Sequence, residues 1–365
     1  MSLLMNYTDQ RYVEIAQKVF QEQFKRDPKL EKEMDERRKR LMYEDVVYNI
    51  SFLMTAVHFS DGKIFEGYAK WIYELLCNLM KDLDRDRIME HMNDHYRILS
   101  EILNSCPQTL LSEDELKKAT NYLEIAREVT AKAVTEISLS FNFHDGEHYE
   151  IRKAYLDALL KNQTRVAHTV INEAKQQGLS LIDIYEEVLT KVMIESGNLW
   201  HKNIITIDKE HYITSVTQSV LSGFYDEIFS KPRKNKRILA CAVGSELHEM
   251  GVRMLSDIFE YRGWDSYYMG AALPEESILK AVKEYQPDFV AFSVTIPLYL
   301  PTCEKIVKSV KEKYPKVRIA VGGQAFRNTE KLWEKWEVDY YSLSANDFVK
   351  WAEKQIIKKN IKKDG

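Results

Sequence analysis

A short segment, Gly244-Ser-Glu246-Leu-His248-Glu-Met-Gly251, contains residue types suited to binding a metal. An imidazole can offer one ring nitrogen to a metal, and a carboxylate two residues earlier can accept the N–H of the other nitrogen. That contact would select the tautomer and raise the basicity of the ligand. Gly251 leaves room for a bulky group. A single loop histidine is ordinarily a solvated polar residue, so this interpretation of His248 needs support from elsewhere in the chain.

Small and hydroxyl-bearing residues follow two later apolar runs, as Ser293-Val-Thr295 and as Gly322-Gly323-Gln-Ala-Phe326. If these runs are strands of one parallel sheet, their carboxyl ends share an edge with the His248 segment. Two consecutive glycines allow a backbone to approach a planar or nucleotide-like ligand closely. The pattern therefore predicts a deep slot beside His248, lined by Ser293, Thr295, Gly322, Gly323 and Phe326.

A third set of reactive side chains lies in Trp200-His201-Lys-Asn-Ile-Ile-Thr-Ile-Asp-Lys-Glu210-His211. An indole face can form an apolar wall for a nucleoside, and a carboxylate can accept hydrogen bonds from ribose hydroxyls. His211 could orient either group. The alternative is that Trp200 is a core residue at a helix end and that Glu210 and His211 form an ordinary surface pair.

The elements that would position the first two sets are alternating strands and helices from Arg237 onward. The predicted strands are 238–243, 266–269, 289–294, 318–321 and 340–343. The predicted helices are 247–261, 275–284, 303–313, 330–336 and 346–357. Buried-type strands that alternate with helices indicate a parallel sheet covered on both faces. Five such strands predict a flavodoxin-like domain over residues 236–360, with ligands at the carboxyl ends of the strands.

The pattern of the rest of the chain predicts helices. The predicted fold class is therefore a multidomain protein with α and α/β domains. Apolar stripes at helical spacing and the near absence of proline predict an all-helical signalling or oligomerisation domain over residues 1–140. Ser112 and Glu115 fit a capping box. After a polar linker at 142–146, a four-helix bundle is predicted over residues 147–231. Its predicted helices are 149–160, 164–177, 181–199 and 207–229.

Together, the motifs of the last domain resemble the cobalamin-binding domain family. Its signature is Asp-x-His-x-x-Gly, then Ser-x-Leu or Ser-x-Thr, then Gly-Gly, at the same points of the same fold. The resemblance implies that His248 is the lower ligand of cobalt and that Glu246 is its hydrogen-bonding partner. It also implies that the strand-end residues line the pocket for the dimethylbenzimidazole tail. Glu246 departs from the usual Asp, and its extra methylene should preserve the hydrogen bond while shifting its geometry.

The Trp-x9-Glu-His spacing of Trp200, Glu210 and His211 resembles the CarH and LitR type of light-sensing, adenosylcobalamin-dependent regulators. In that group these residues surround the upper 5′-deoxyadenosyl ligand. The resemblance implies adenosylcobalamin as cofactor and the bundle as its cap. His201 could correspond to the additional histidine that binds cobalt after light has removed the adenosyl group.

Composition and motifs also limit the alternatives. A net charge of −4 and the lack of a basic recognition helix argue against direct DNA binding, although CarH-type repressors carry such a domain. Arg37 to Arg40 follow acidic residues and read as a solvated helix face. Four widely spaced cysteines suggest neither disulfides nor zinc. Because no signal peptide or membrane-length apolar run is evident, we expect a cytoplasmic protein.

Three functions remain open from the sequence. The main hypothesis is a non-enzymatic photoreceptor in which light breaks the Co–C bond, the bundle and sheet rearrange, and a protein partner or another copy of the chain responds. The second is a corrinoid protein that carries methyl groups for a methyltransferase and works with methylcobalamin. The third is a passive cobalamin sensor or carrier.

Overall fold

The computed structural model describes residues 10–105, 111–133 and 143–361. The chain divides into two compact units, residues 1–138 with residues 328–332, and residues 139–327 with residues 333–365. The predicted domain boundary at 140 and the first linker residue, Asn142, lie outside the described residues. The described chain is mostly helical and contains one five-stranded parallel sheet, which confirms the predicted fold class.

Six helices make up the described part of the first unit. They are α1 Gln10–Arg26, α2 Pro28–Glu33, α3 Glu36–Phe59, α4 Gly62–Leu79, α5 Arg85–Ser105 and α6 Glu113–Ala133. Aspartates begin three of them, since the side chains of Asp27, Asp35 and Asp61 accept hydrogen bonds from first-turn N–H groups. The predicted capping box is present at α6. There the Ser112 N–H donates to the Glu115 carboxylate at 2.8 Å, and the Glu115 N–H donates to the Ser112 hydroxyl at 3.3 Å.

The second unit begins with a bundle close to the predicted one. Its helices are α7 Tyr149–Leu160, α8 Thr164–Gln176, α9 Leu181–Asp183, α10 Thr190–His201, α11 Ile207–Ser222 and α12 Tyr225–Phe229. A π-helical segment, Ile184–Leu189, joins α9 to α10, so the third predicted helix is continuous but wound more widely in its middle. The fourth predicted helix is divided between α11 and α12.

Arg152 holds the end of the predicted linker against the bundle. The side chain is fully buried, and its guanidinium donates to the backbone carbonyls of Phe143, Asp145, Glu147 and Glu187. Its partners are therefore carbonyl oxygens of the linker and one carbonyl of the π-helical segment. The described linker residues are thus held against the bundle by hydrogen bonds.

The sheet domain has strand order β2-β1-β3-β4-β5, and all neighbouring strands are parallel. The strands are β1 Arg237–Ala242, β2 Asp265–Tyr268, β3 Phe289–Ser293, β4 Arg318–Gly322 and β5 Tyr340–Tyr341. The helices are α13 Met250–Tyr261, α14 Glu275–Tyr285, α15 Leu300–Lys313 and α16 Ala345–Ile361. The central strands are buried on both faces, as continuous apolar runs require.

Two predicted helices of this domain differ from the structure. The helix expected to begin at residue 247 begins at Met250, because residues 246–249 form a loop. The helix expected over 330–336 is only a short 3-10 turn, Leu332–Lys335. Lys331 and Glu337 lie on either side of that turn with φ of 51° and 56°. Left-handed backbone at both ends prevents a longer right-handed helix.

Polar pairs join the bundle to the sheet domain within the second unit. The Tyr185 hydroxyl donates to the Asp257 carboxylate at 3.2 Å, and the Glu186 carboxylate accepts from the Asn346 N–H at 2.9 Å and from Ser344 at 3.0 Å. Asn346 lies at the beginning of α16, where a carboxylate also benefits from the helix dipole. Burial raises the pKa of Asp257 to about 6. The π-helical segment therefore supplies both contacts.

Candidate functional site

The predicted metal-ligand loop is held in place through its carboxylate. Glu246 is fully buried, and its side chain accepts the N–H of Thr295 at 2.8 Å and the N–H of Ile296 at 3.0 Å. The same carboxylate lies 3.4 Å from His248 Nδ1. The His248 side chain is 59% exposed, so its ring projects from the loop toward solvent while one nitrogen faces Glu246. This arrangement presents Nε2 as the nitrogen for a metal.

Two glycines bring backbone segments close together at the same edge of the sheet. A Cβ at Gly323 would lie 2.3 Å from the carbonyl oxygen of Val294, and one at Gly322 would lie 2.6 Å from the carbonyl oxygen of Ser342. Gly323 also has φ of 99°, a conformation that only glycine adopts without strain. Side chains at these positions would therefore displace neighbouring backbone.

Strand register brings the other predicted slot residues together. Ser293 pairs with Gly322 of β4 and with Ala242 of β1, which leads into the His248 loop. Thr295 follows two residues later and donates its N–H to Glu246. No atom lies within 4 Å of a Cβ built on Gly251, so this position is open. The structure thus gathers Ser293, Thr295 and the two glycines next to the loop of His248.

Phe326 occupies a different environment from the other predicted slot residues. Its side chain is fully buried and packs edge-on against Trp333, Trp336 and Tyr341, with ring centroids 5.5–6.4 Å apart. These aromatic contacts fasten the turn that follows Gly323 to the sheet domain.

The predicted upper-face residues flank the connection between α10 and α11. Trp200 and His201 end α10, and Glu210 and His211 lie in the first turns of α11. His211 Nε2 is 3.8 Å from the Glu210 carboxylate, which also accepts a hydrogen bond from Thr214 at 3.0 Å. Trp200 is partly buried and His211 is exposed. The connection therefore presents an indole, a carboxylate and two imidazoles at one end of the bundle.

Exposed apolar side chains mark both predicted faces of the site. Leu247, beside His248, is 80% exposed, and Ile204 and Ile207 of the α10–α11 connection are 64% and 50% exposed. Large aliphatic side chains gain free energy when they are covered, at about 25 cal/mol per Å² of buried apolar surface. A ligand that covers these residues would be stabilised in this way.

In the described part of the chain, no three or more His, Cys, Asp or Glu side chains form a group that could hold a metal ion. Burial raises the pKa of the Cys241 thiol to about 12, which keeps it protonated and unsuited to ligation. The described helices also include none long and apolar enough to cross a membrane.

Sequence reasoning missed two members of the site. The Ile296 N–H is the second donor to Glu246, and the Tyr299 ring lies against Gly244, where a Cβ would be 2.2 Å from the ring. The φ of 88° at Gly244 belongs to the tight turn that starts the loop. The glycine two residues after the end of β1 was a visible signal for that turn. The role of the Ile296 backbone has no sequence signal, because every residue except proline has an N–H.

Comparison with known proteins gives matches over the second unit. Two family models described as B12 binding domain match residues 236–346 and residues 151–222. The HTH-type transcriptional repressor CarH of Myxococcus xanthus is 24% identical over 160 residues, which are 43% of this chain and 52% of the repressor. The chain therefore spans about half the length of that relative.

Two proteins of Methanosarcina barkeri are also similar. Its trimethylamine corrinoid protein is 23% identical over 198 residues, which are 53% of this chain and 90% of that protein. The structure of its monomethylamine corrinoid protein aligns with a TM-score of 0.50 and 15% identity, over 56% of this chain and 97% of that one. At this identity the structural likeness concerns the fold alone.

Proposed function

Because the chain belongs to the B12-binding domain family through residues 151–222 and 236–346, we propose that it binds adenosylcobalamin and acts as a light sensor that regulates a partner. The observation that carries the sensor proposal is the end of the bundle where α10 ends with Trp200 and His201 and the first turns of α11 contain Glu210 and His211. Cobalamin binding alone requires only the sheet domain and a cap, whereas this set of side chains suits an upper nucleoside ligand.

The lower face fits cobalamin by the chemistry of its donors. A corrin ring brings four nitrogen ligands with it, so the protein would need to supply one imidazole to the cobalt rather than a cluster of ligands. His248 offers that single imidazole, and Glu246 orients it from a fully buried position. In this proposal His248 is the lower cobalt ligand, and Glu246 fixes the proton on Nδ1.

The edge of the sheet fits the nucleotide tail. Gly322 and Gly323 keep the backbone clear of side chains between β3 and β4, and Ser293 and Thr295 place hydroxyl groups beside them. Gly251 is open on the loop side. We assign these five residues to the tail pocket, and Phe326 to its support from behind.

The upper face is assigned to four side chains of the bundle. The indole of Trp200 packs against the adenosyl group, Glu210 accepts from the ribose hydroxyls, and His211 orients that carboxylate from 3.8 Å. When bound, adenosylcobalamin supplies a cobalt–carbon bond that light breaks. His201 would supply a second imidazole to hold the cobalt.

A route for the signal runs through contacts of the π-helical segment. Tyr185 and Glu186 connect it to α13 and α16 of the sheet domain, and its Glu187 carbonyl accepts from Arg152. Arg152 in turn holds the backbone of residues 143–147, which lead from the first unit. We propose that movement of the bundle against the sheet reaches residues 143–147 by this path, and that a partner protein or a second copy of the chain reads it.

The test is to load the full chain with adenosylcobalamin in the dark and to record absorption and oligomeric state before and after green light. The proposal expects a lasting spectral change to bis-histidine cobalt and a change of assembly or hydrodynamic size. The H201A variant should bind in the dark but lose the bis-histidine spectrum. H168A, on α8 of the same bundle, is the matched control. Tight binding without any light-dependent change would refute the sensor function.

A second candidate is a corrinoid protein that carries methyl groups. The similarity to the trimethylamine corrinoid protein, over 90% of that relative, favours it. This candidate predicts preference for methylcobalamin over adenosylcobalamin and turnover by a methyltransferase. It also predicts that W200A and E210Q change affinity for both cobalamins equally, whereas the sensor proposal expects a selective loss of adenosylcobalamin. A passive carrier would bind cobalamin and remain unaffected by H201A in all spectra.

A further inference from the structure

The beginning of α11 lies outside the hydrophobic core of the bundle. The buried residues of this helix start at Ile213, whereas none of residues 207–212 is buried. Glu210 and His211 belong to this exposed stretch, which here is called the α11 start. Helices in proteins are held mainly by the packing of an apolar face. Because the α11 start buries no residue, its polar contacts must fix the position of Glu210.

Lys209 supplies the contacts that hold the α11 start. Its Nζ donates to the backbone carbonyl of Leu160 at 3.2 Å and to the side-chain oxygen of Asn162. The ammonium also lies 5.3 Å from the centre of the Tyr212 ring. The Tyr212 hydroxyl shares a hydrogen bond of 2.8 Å with the hydroxyl of Thr164. Lys209 and Tyr212 therefore connect the α11 start to the turn between α7 and α8.

The end of α7 explains why a cation is suited to this place. The last carbonyls of an α-helix have no partner within the helix. Those of Ala158 and Leu159 accept N–H groups from the following turn, in which Asn162 has a left-handed φ of 59°. The Leu160 carbonyl accepts from Lys209, and the helix dipole favours a cation at this end. The end of α7 thus determines where the Lys209 ammonium lies.

The position of Lys209 determines that of Glu210, the next residue in the chain. Side chains of consecutive helical residues point about 100° apart around the helix axis. Lys209 reaches toward α7, whereas the Glu210 carboxylate accepts from Thr214, one turn later in α11, at 3.0 Å. The contact with α7 therefore fixes the backbone of Glu210 without occupying its carboxylate.

We propose that Lys209 is a positioning residue that sets the preference of the chain for cobalamins with a nucleoside as upper ligand. It holds Glu210 where the carboxylate accepts hydrogen bonds from ribose hydroxyls, which a methyl upper ligand lacks. Lys209 does not touch the ligand, so its whole effect passes through Glu210. This assignment rests on the upper-face role of Glu210 in the proposed function.

The experiment measures the dissociation constants of the full chain for adenosylcobalamin and methylcobalamin in the dark. K209M removes the donor and keeps a long side chain. We expect it to weaken adenosylcobalamin binding about tenfold, a typical effect for hydrogen bonds of a charged group, and to leave methylcobalamin binding unchanged. K153M, an exposed lysine of α7 paired with Asp157, is the matched control and should bind both cobalamins like the natural chain.

A second variant approaches the same contact from α7. N162G removes the acceptor, and glycine keeps the left-handed backbone at this position. It should weaken adenosylcobalamin binding about threefold, because the Leu160 carbonyl still accepts from Lys209. If K209M fails to fold by circular dichroism, N162G decides the question.

The double variant K209M/E210Q separates positioning from general support of the bundle. If Lys209 acts through Glu210, the double variant should bind adenosylcobalamin no more weakly than E210Q alone, since coupled residues are not additive. K209R, which can donate to the same oxygens, should restore the preference for adenosylcobalamin. Full additivity of the two substitutions, or equal weakening of both cobalamins by K209M, would overturn the positioning role.

E210Q separates the failure of this assignment from the failure of the proposed function. A selective loss of adenosylcobalamin in E210Q, without one in K209M, would overturn the role of Lys209 and leave that of Glu210 intact. Absence of a selective loss in E210Q would overturn the upper-face role of Glu210 and the positioning role of Lys209 together.

Discussion

Replacing Glu246 by glutamine tests how the sheet domain holds its predicted cobalt ligand. The carboxylate is fully buried and accepts two backbone N–H groups, from Thr295 at 2.8 Å and from Ile296 at 3.0 Å. A glutamine amide has one acceptor oxygen, so it can retain one of these bonds while its NH₂ faces the other N–H. The lost bond to a charged acceptor and the unsatisfied donor together cost about 2–3 kcal/mol. His248 also loses the carboxylate beside its Nδ1.

Hydrogen exchange of the peptide that contains Thr295 and Ile296 measures this loss locally, which is necessary because a chain of several domains does not unfold in two states. The expected loss corresponds to a roughly 30- to 150-fold faster exchange of these amides in E246Q. Cobalamin affinity should fall about 10- to 100-fold, as it does when the partner of a metal-binding histidine is removed. E284Q, on the exposed surface of α14, is the control. Unchanged protection in E246Q, or an equal loss in E284Q, would refute the anchoring role of the carboxylate.

Three further predictions concern the second unit. G323A should lower the local stability of the sheet domain by more than about 2 kcal/mol, because φ is 99° and a Cβ would lie 2.3 Å from a backbone oxygen. G197A, where a Cβ would meet open space, should not lower the stability around it, and hydrogen exchange of the peptides that contain each glycine compares the two variants. The pKa of Asp257 is raised to about 6, so stability should fall by about 3 kcal/mol as pH rises from about 3 to about 7, and D257N should abolish that fall in pH-dependent denaturation. R152M should cost at least about 3 kcal/mol and make residues 143–147 sensitive to proteolysis, since it removes the buried guanidinium that donates to four carbonyls, whereas exposed R165M should change neither.

The predicted helices of the bundle and the strands of the sheet agree closely with the structure. The first bundle helix was predicted over 149–160 and is Tyr149–Leu160, and all five strands lie where apolar runs were found. The apolar pattern predicted these elements correctly because a helix buried on one face has apolar residues at helical spacing, and a strand buried on both faces is a continuous apolar run. Helical periodicity gave a wrong prediction at 330–336, where residues with left-handed backbone end the helical turn on both sides. The aromatic side chains of this segment pack around Phe326 instead.

The sequence by itself was enough to predict the sheet domain and the bundle, and to single out His248 as a candidate metal ligand. Each of these predictions depends on residues that are near one another in the chain. Only the tertiary structure decided what holds that motif. Glu246 bonds N–H groups 49 and 50 residues later, a contact that depends on the register of β1 against β3. Likewise, no local pattern marks the π-helical segment as the contact with the sheet domain. Such contacts arise from the packing of whole elements, and packing is a property of the folded chain rather than of any short segment.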